Sequence, residues 1–131
     1  MIVADTHVII WEALKPELLS LGATKAFHKA NQQEGIIFCE ISLWEIAMLM
    51  NKGRLSVDVG YREFIRLVSN SNRSVFRGIT SEIAELSTQL LSDTNKDPAD
   101  SIISATAVIE NAKLVTSDKA LRRSKKISTI W

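Results

Sequence analysis

Four acidic side chains occupy positions where α/β proteins often place reactive groups. Each lies in or beside an apolar run: Asp5 after MIVA, Glu45 in SLWEIAMLM, Asp100 in KDPADSIISATA and Asp118 after KLVTS. A carboxylate among apolar residues is costly unless something compensates its charge. If the four converge, they repel one another and raise their own pKa values, so a shared divalent cation is the economical explanation.

The ligand type narrows the chemistry of such a cluster. Carboxylate oxygens favour Mg²⁺ or Mn²⁺ over zinc, which prefers nitrogen and sulfur ligands. Acidic clusters that hold these ions usually serve phosphoryl chemistry, in which one or two ions activate a water and stabilise the leaving oxygen. The acids therefore predict a metal-dependent reaction at a phosphate ester.

Three of these acids, and Asp97 beside them, also have a purely structural interpretation. Asp5 and Asp118 each precede a predicted helix and could be N-caps. Asp97 is a natural N-cap with proline at the first helical position, and Asp100 then falls where an acid favours the helix dipole. Capping alone could explain each residue singly, but not their joint placement at strand ends and helix starts.

Glu45 leaves two interpretations open. Ser42 and Glu45 form an S-x-x-E pattern, which is typical of a capping box at the start of a helix. The surrounding segment is apolar from Leu43 to Met50, so the helix is expected to be buried nearly all round and Glu45 to point inward, where a cation would compensate its charge. The two interpretations do not exclude each other.

Alternating strands and helices must position these acids. β-prone runs separated by helical patterns predict an α/β fold, a single domain over residues 1–131 with a central, mostly parallel sheet flanked by helices. The carboxyl ends of parallel strands meet at one edge, where ligand sites form. Predicted strands cover 1–5, 36–41, 74–79, 113–117 and 127–131, and predicted helices cover 7–14, 18–33, 42–52, 60–71, 81–92, 97–112 and 119–123.

Composition fits an ordinary globular protein. Apolar residues make up 46% of the 131 residues and charged residues 24%, which excludes a disordered class. The lone Cys39 excludes an internal disulfide and fits a reducing compartment, and no segment is apolar enough to cross a membrane. We therefore expect a cytoplasmic protein without a membrane partner. Net charge is only +1, so any binding of a polyanion must come from uneven placement of the bases.

The ordered set of segments ADTHVIIW, ISLWEIAMLMNKGRL, KDPADSIISATA and LVTSDKAL resembles the PIN-domain ribonucleases. Within that family the WEIA and GRL pattern is most similar to the VapC toxins of bacterial toxin–antitoxin pairs. The resemblance spans nearly the whole chain. It implies a PIN fold and a metal-dependent endoribonuclease that hydrolyses RNA phosphodiester bonds with a metal-activated water, leaving 5′-phosphate and 3′-hydroxyl ends.

The resemblance also implies roles for individual acids. Asp5, Glu45 and Asp100 match the three core metal ligands, and Asp118 matches a fourth, more variable one. Asp97 matches the first acid of the D-P-x-D motif, which is a cap or an outer group. One position departs from the pattern: the residue after the second motif acid is commonly Arg in these toxins and is serine here.

The same resemblance implies supporting roles for hydroxyl side chains, and position and charge suggest roles for other residues. Thr6 and either Thr116 or Ser117 match hydroxyls that hold a metal water or a phosphate oxygen. His7 lies two residues from Asp5 and is expected to point elsewhere, as a packing or surface residue. Bases cluster near the end of the chain, where beside a metal site they would contact the RNA backbone; the candidates are Arg122, Arg123, Lys125 and Lys126.

Partners are likewise implied by resemblance. VapC-like proteins commonly form homodimers and bind a cognate antitoxin whose C-terminal segment occupies the acidic site. The apolar helix at 42–52 could contribute to the dimer interface or to the antitoxin interface, or it could belong to the hydrophobic core. An alternative function is a non-cleaving PIN-like module that binds RNA or protein, which the loss of a core acid would favour; all of the core acids are present.

Overall fold

Five short strands form one fully parallel sheet in the computed structural model, which describes residues 1–131. The strands are β1 (Ile2–Ala4), β2 (Ile36–Cys39), β3 (Ser74–Arg77), β4 (Lys113–Val115) and β5 (Thr129–Ile130), and their order across the sheet is β3-β2-β1-β4-β5. All four pairings are parallel. The α/β prediction is therefore confirmed, with no antiparallel strand.

Seven α-helices connect and cover these strands. They are α1 (Thr6–Leu14), α2 (Leu21–Gln32), α3 (Glu40–Asn51), α4 (Tyr61–Asn70), α5 (Ser81–Gln89), α6 (Pro98–Ile109) and α7 (Lys119–Arg123). Short 3₁₀ turns at Pro16–Leu18 and Leu91–Thr94 complete the chain. None of the helices is both long and apolar enough to cross a membrane.

The central strands are buried on both faces, as expected for a parallel sheet between two helical layers. Successive side chains of β1 point to opposite faces. Ala4 joins a core cluster with α1, α2 and α4, whereas Val3 joins a second cluster that includes Ile103 of α6 and Leu121 of α7. This alternation explains why the strand sequences read as continuous apolar runs.

Helix boundaries depart from the sequence prediction where a capping residue decides them. The predicted helix 18–33 is wrong at its start, because Leu19 is extended and Ser20 accepts a hydrogen bond from the Ala23 amide at 3.0 Å, so that α2 begins at Leu21. The predicted helix 81–92 ends early, at Gln89. Gly53, shortly after α3, adopts the left-handed conformation that glycine favours at helix ends, with φ of 69°.

Candidate active site

Asp5 follows β1 directly and lies at the carboxyl edge of the sheet. Its backbone amide still bonds to the Val115 carbonyl of β4 at 3.1 Å, which fixes it beside the end of the neighbouring strand. The side chain is buried, with 7% exposed, and accepts hydrogen bonds from the Thr6 amide at 2.8 Å and from Thr116 Oγ1 at 2.7 Å. Asp5 is thus both the N-cap of α1 and a buried carboxylate held in one orientation.

Thr116 links Asp5 to the next acid. Its fully buried hydroxyl donates to Asp5 Oδ2 and accepts from the Asp118 amide at 3.0 Å. Asp118 Oδ1 accepts from the Ala120 and Leu121 amides at 2.8 and 3.1 Å and so caps α7, as its structural interpretation predicts. One hydroxyl therefore couples the ends of β1 and β4.

Glu45 is bound by a side chain of α1 rather than by its own helix. Thr6 Oγ1 donates to Glu45 Oε1 at 2.5 Å and lies 2.8 Å from Ser42 Oγ. The capping box is wrong: α3 begins at Glu40 after Cys39, which places Glu45 in the second turn. The S-x-x-E spacing instead places Ser42 and Glu45 on one face of α3, where both contact Thr6 Oγ1.

The expectation that this helix is buried nearly all round is also wrong. Only Ser42 and Ile46 of α3 are buried. Its remaining apolar residues are half-buried or exposed. Glu45 is nevertheless buried enough that desolvation raises its pKa, and the negative charges of Asp5 and Asp97 raise it further.

Asp100 lies in the first turn of α6, and its pKa is strongly raised. Its amide donates to Asp97 Oδ1 at 3.1 Å, which confirms Asp97 as the exposed N-cap of this helix. Burial raises the pKa of Asp100 to about 8, with further contributions from the charges of Asp5, Asp97, Glu45 and Asp118. The carboxylates are therefore close enough to interact electrostatically.

No cationic side chain pairs with this acidic site. Burial also raises the pKa of Asp5, although hydrogen bonds from Thr116 and Thr6 lower it in part. The salt bridges of the structure all lie elsewhere, between Met1 and Glu34, Glu63 and Arg66, Arg77 and Glu110, and Asp93 and Lys126. The repulsion among the acids is therefore offset only in part, by these hydrogen bonds and by the neighbouring His7 side chain, and not by any salt bridge.

The donor set fits a hard divalent cation by its chemistry. Every candidate ligand is a carboxylate or hydroxyl oxygen, the type that Mg²⁺ and Mn²⁺ prefer. In the present side-chain conformations, no three acids lie close enough together to bind one ion. One carboxylate oxygen of Asp5 and one of Glu45 each accept a hydrogen bond from a threonine hydroxyl, and one oxygen of Asp118 accepts hydrogen bonds from backbone amides of α7. Binding an ion by three or more of these acids would therefore require their side chains to rotate.

The remaining predicted site residues differ in their surroundings. His7 is exposed and packs against Trp11 with ring centroids 5.9 Å apart, which fits a surface role. Ser101 is buried and donates to the Pro98 carbonyl at 2.8 Å, so no ion pair forms there. Ser117 is half-buried beside Thr116.

The basic residues after Asp118 differ in whether they form a salt bridge. Lys126 Nζ pairs with Asp93 at 3.2 Å, so its charge is already compensated. Arg122, Arg123 and Lys125 are exposed and form no salt bridge. The RNA contacts predicted for this segment therefore rest on the residues that remain unpaired.

Comparisons with known proteins agree with this architecture. The family model of the PIN domain matches residues 2–127. The chain is 31% identical to Ribonuclease VapC22 of Mycobacterium tuberculosis, over 99% of this chain and 98% of the relative. Similar folds occur in the structure of VapBC2 from Rickettsia felis bound to a DNA fragment from their promoter (TM-score 0.71, 15% identity) and in a toxin–antitoxin complex from Klebsiella pneumoniae (TM-score 0.68, 20% identity). Each alignment covers 98% of this chain and 97% of the other. The chain therefore belongs to the PIN-domain family, as a VapC-type member.

Proposed function

We propose that the protein is a metal-dependent endoribonuclease and the toxin of a toxin–antitoxin pair. The observation that carries the proposal is an acidic cluster without a salt bridge, in which Asp5 is buried and Asp100 is half-buried, so that the pKa of Asp100 is raised to about 8. A cluster of this kind favours a divalent cation in place of protons. RNA as the substrate is supported by the 31% identity to a relative named a ribonuclease.

The proposed ligands of Mg²⁺ or Mn²⁺ are the carboxylates of Asp5, Glu45, Asp100 and Asp118. A cation held there would supply activation of a water and stabilisation of charge on the phosphate. The hydroxyls of Thr6 and Thr116 orient these carboxylates through the hydrogen bonds described above.

Other predicted residues support this site. Asp97 contributes by capping α6 and so fixing the helix turn that carries Asp100. Ser117, next to Thr116, is the alternative hydroxyl proposed to hold a metal water or a phosphate oxygen. Neither side chain is required to contact the cation.

The proposed partners are an antitoxin and a second copy of the chain. Two of the solved neighbours are described as a VapBC structure and a toxin–antitoxin complex, which supports an antitoxin partner here. Trp44 on α3 is 57% exposed and lines an open apolar cavity with Met48, Met50 and Tyr61. An exposed apolar surface of this kind is typical of an interface.

Sequencing of RNA ends in cells tests the proposed activity. Induction of the wild-type protein is expected to create new 5′-phosphate ends at defined positions. Asp5→Asn keeps the volume of the side chain but removes its charge and replaces one of its two acceptor oxygens by a donor, and it is expected to create none. Equal cleavage by Asp5→Asn would contradict the proposal, and no cleavage by wild-type protein would favour a module that binds without cutting.

A further inference from the structure

A cationic cavity adjoins the acidic site on the side of β5. Its volume is about 520 Å³, and its lining residues are Lys119, Arg122, Arg123, Thr129 and Trp131. The three bases are exposed and take part in none of the salt bridges of the structure. The cavity therefore presents concentrated positive charge that the protein does not neutralise.

The backbone places this cavity at the same sheet edge as the acids. The Thr116 amide bonds to the Ile130 carbonyl at 3.1 Å, so Trp131 follows β5 beside the threonine that holds Asp5. The other wall is α7, which begins immediately after the site residue Asp118. The acidic site and the cationic cavity are thus neighbours along one edge.

Aromatic rings connect the two regions. Trp131 packs against Trp11 with centroids 6.1 Å apart, and Trp11 packs against His7 at 5.9 Å. His7 is two residues from Asp5 and is exposed, while both tryptophans are half-buried. Aromatic rings beside Lys and Arg side chains that form no salt bridge are typical of sites that bind single-stranded nucleic acid. The basic side chains bind the phosphates, and the nucleobases stack on the rings.

We propose that single-stranded RNA passes from the acidic site along this row of rings into the cavity. There its phosphates bind Lys119, Arg122 and Arg123, and a nucleobase stacks on Trp131. This inference rests on the proposed function for the choice of RNA. It deepens that function by assigning residues outside the acidic site that hold the RNA strand; the stacking contact needs an unpaired nucleobase, since the bases of a duplex cannot stack on a side chain.

Fluorescence anisotropy in EDTA tests this binding path without any cleavage. The probe is a fluorescein-labelled single-stranded RNA of about sixteen nucleotides. Arg122→Ala with Arg123→Ala is expected to raise Kd about tenfold or more, and to reduce the slope of log Kd against log salt by about 1.4, because two phosphate contacts are lost. A duplex of the same sequence is expected to bind more weakly than the single strand.

Matched variants separate the proposed contacts from general charge effects. Lys52→Ala with Arg54→Ala removes the same charge from exposed residues beyond the far end of α3 and is expected to leave Kd within about twofold. Trp131→Leu is expected to weaken binding at least about fivefold, and Trp131→Phe less. Circular dichroism checks folding, and Lys119→Ala provides a milder variant should the double substitution unfold the chain.

The outcomes distinguish this inference from the proposed function. If both double variants bind RNA equally, or if antitoxin binding is lost while RNA affinity is unchanged, the cavity is not an RNA site, whatever the cleavage result. If the cavity variants lose RNA binding and the wild-type protein never cleaves RNA, the binding path holds and the nuclease proposal fails.

Discussion

Replacing Asp100 by Asn is expected to lower the rate of RNA cleavage at least about a hundredfold while the protein remains folded. Asn keeps nearly the same volume but cannot supply the negative charge that holds a divalent cation. Because burial and neighbouring acids already oppose ionisation of Asp100, loss of the carboxylate should not destabilise the fold in the absence of metal. Single-turnover cleavage of RNA and thermal unfolding in EDTA measure the two effects.

Asp97→Asn is the matched control for this substitution. It removes the same charge three residues earlier, from an exposed side chain that caps α6. Asn is as good an N-cap as Asp, so stability is expected to change little and cleavage to fall less than about tenfold. Comparable rates for both variants would remove Asp100 from the proposed site.

Thermal stability in EDTA is expected to fall as pH rises from about 4 to about 8. The pKa of Asp100 is about 8 in the folded protein, above its usual value of about 3.9 in an unfolded chain. Between these values the folded state binds more protons than the unfolded state, so raising pH favours unfolding. Asp5, whose pKa burial also raises, contributes in the same direction.

A divalent cation is expected to restore the thermal stability that is lost as pH rises. At about pH 8, Mg²⁺ at a hundredfold excess over its Kd should stabilise the protein by about 2.7 kcal/mol, which corresponds to a rise in Tm of about 5 to 10 °C. Asp100→Asn should show a shallower pH dependence and little response to Mg²⁺. Melting curves across this pH range provide the measurement, and an equal Mg²⁺ response in the variant would contradict the assignment of Asp100 as a ligand.

Much of the fold could be predicted because local sequence and tertiary packing agree. The apolar runs IVA and IIFC need burial on both faces, which only a central parallel sheet provides. Ser20 shows where prediction fails, since a single capping hydrogen bond divides what reads as one continuous helix. Such a boundary depends on whether the serine side chain accepts a hydrogen bond from the backbone, which composition does not reveal.

The acids of the candidate site and the hydroxyls of Thr6 and Thr116 could be named from the sequence, but not the carboxylates to which those hydroxyls donate. Asp5 and Asp118 follow predicted strands, and the topology brings strand ends together. The bond from Thr6 to Glu45 joins residues 39 positions apart, and the resulting role of Ser42 depends on the packing of α1 against α3. Interactions of this range follow from three-dimensional packing, which sequence spacing cannot specify.

Isothermal titration calorimetry with Mn²⁺ tests the central claim most directly, namely that the acidic cluster holds a divalent cation. Wild-type protein near neutral pH is expected to bind Mn²⁺ and to release protons, because the cation replaces the proton that Asp100 retains with its pKa of about 8. The heat should then depend on the ionisation enthalpy of the buffer. Asp5→Asn and Asp100→Asn should lose the binding, whereas Asp97→Asn should retain it. Equal Mn²⁺ binding by all four proteins, or none by the wild-type protein, would contradict the account.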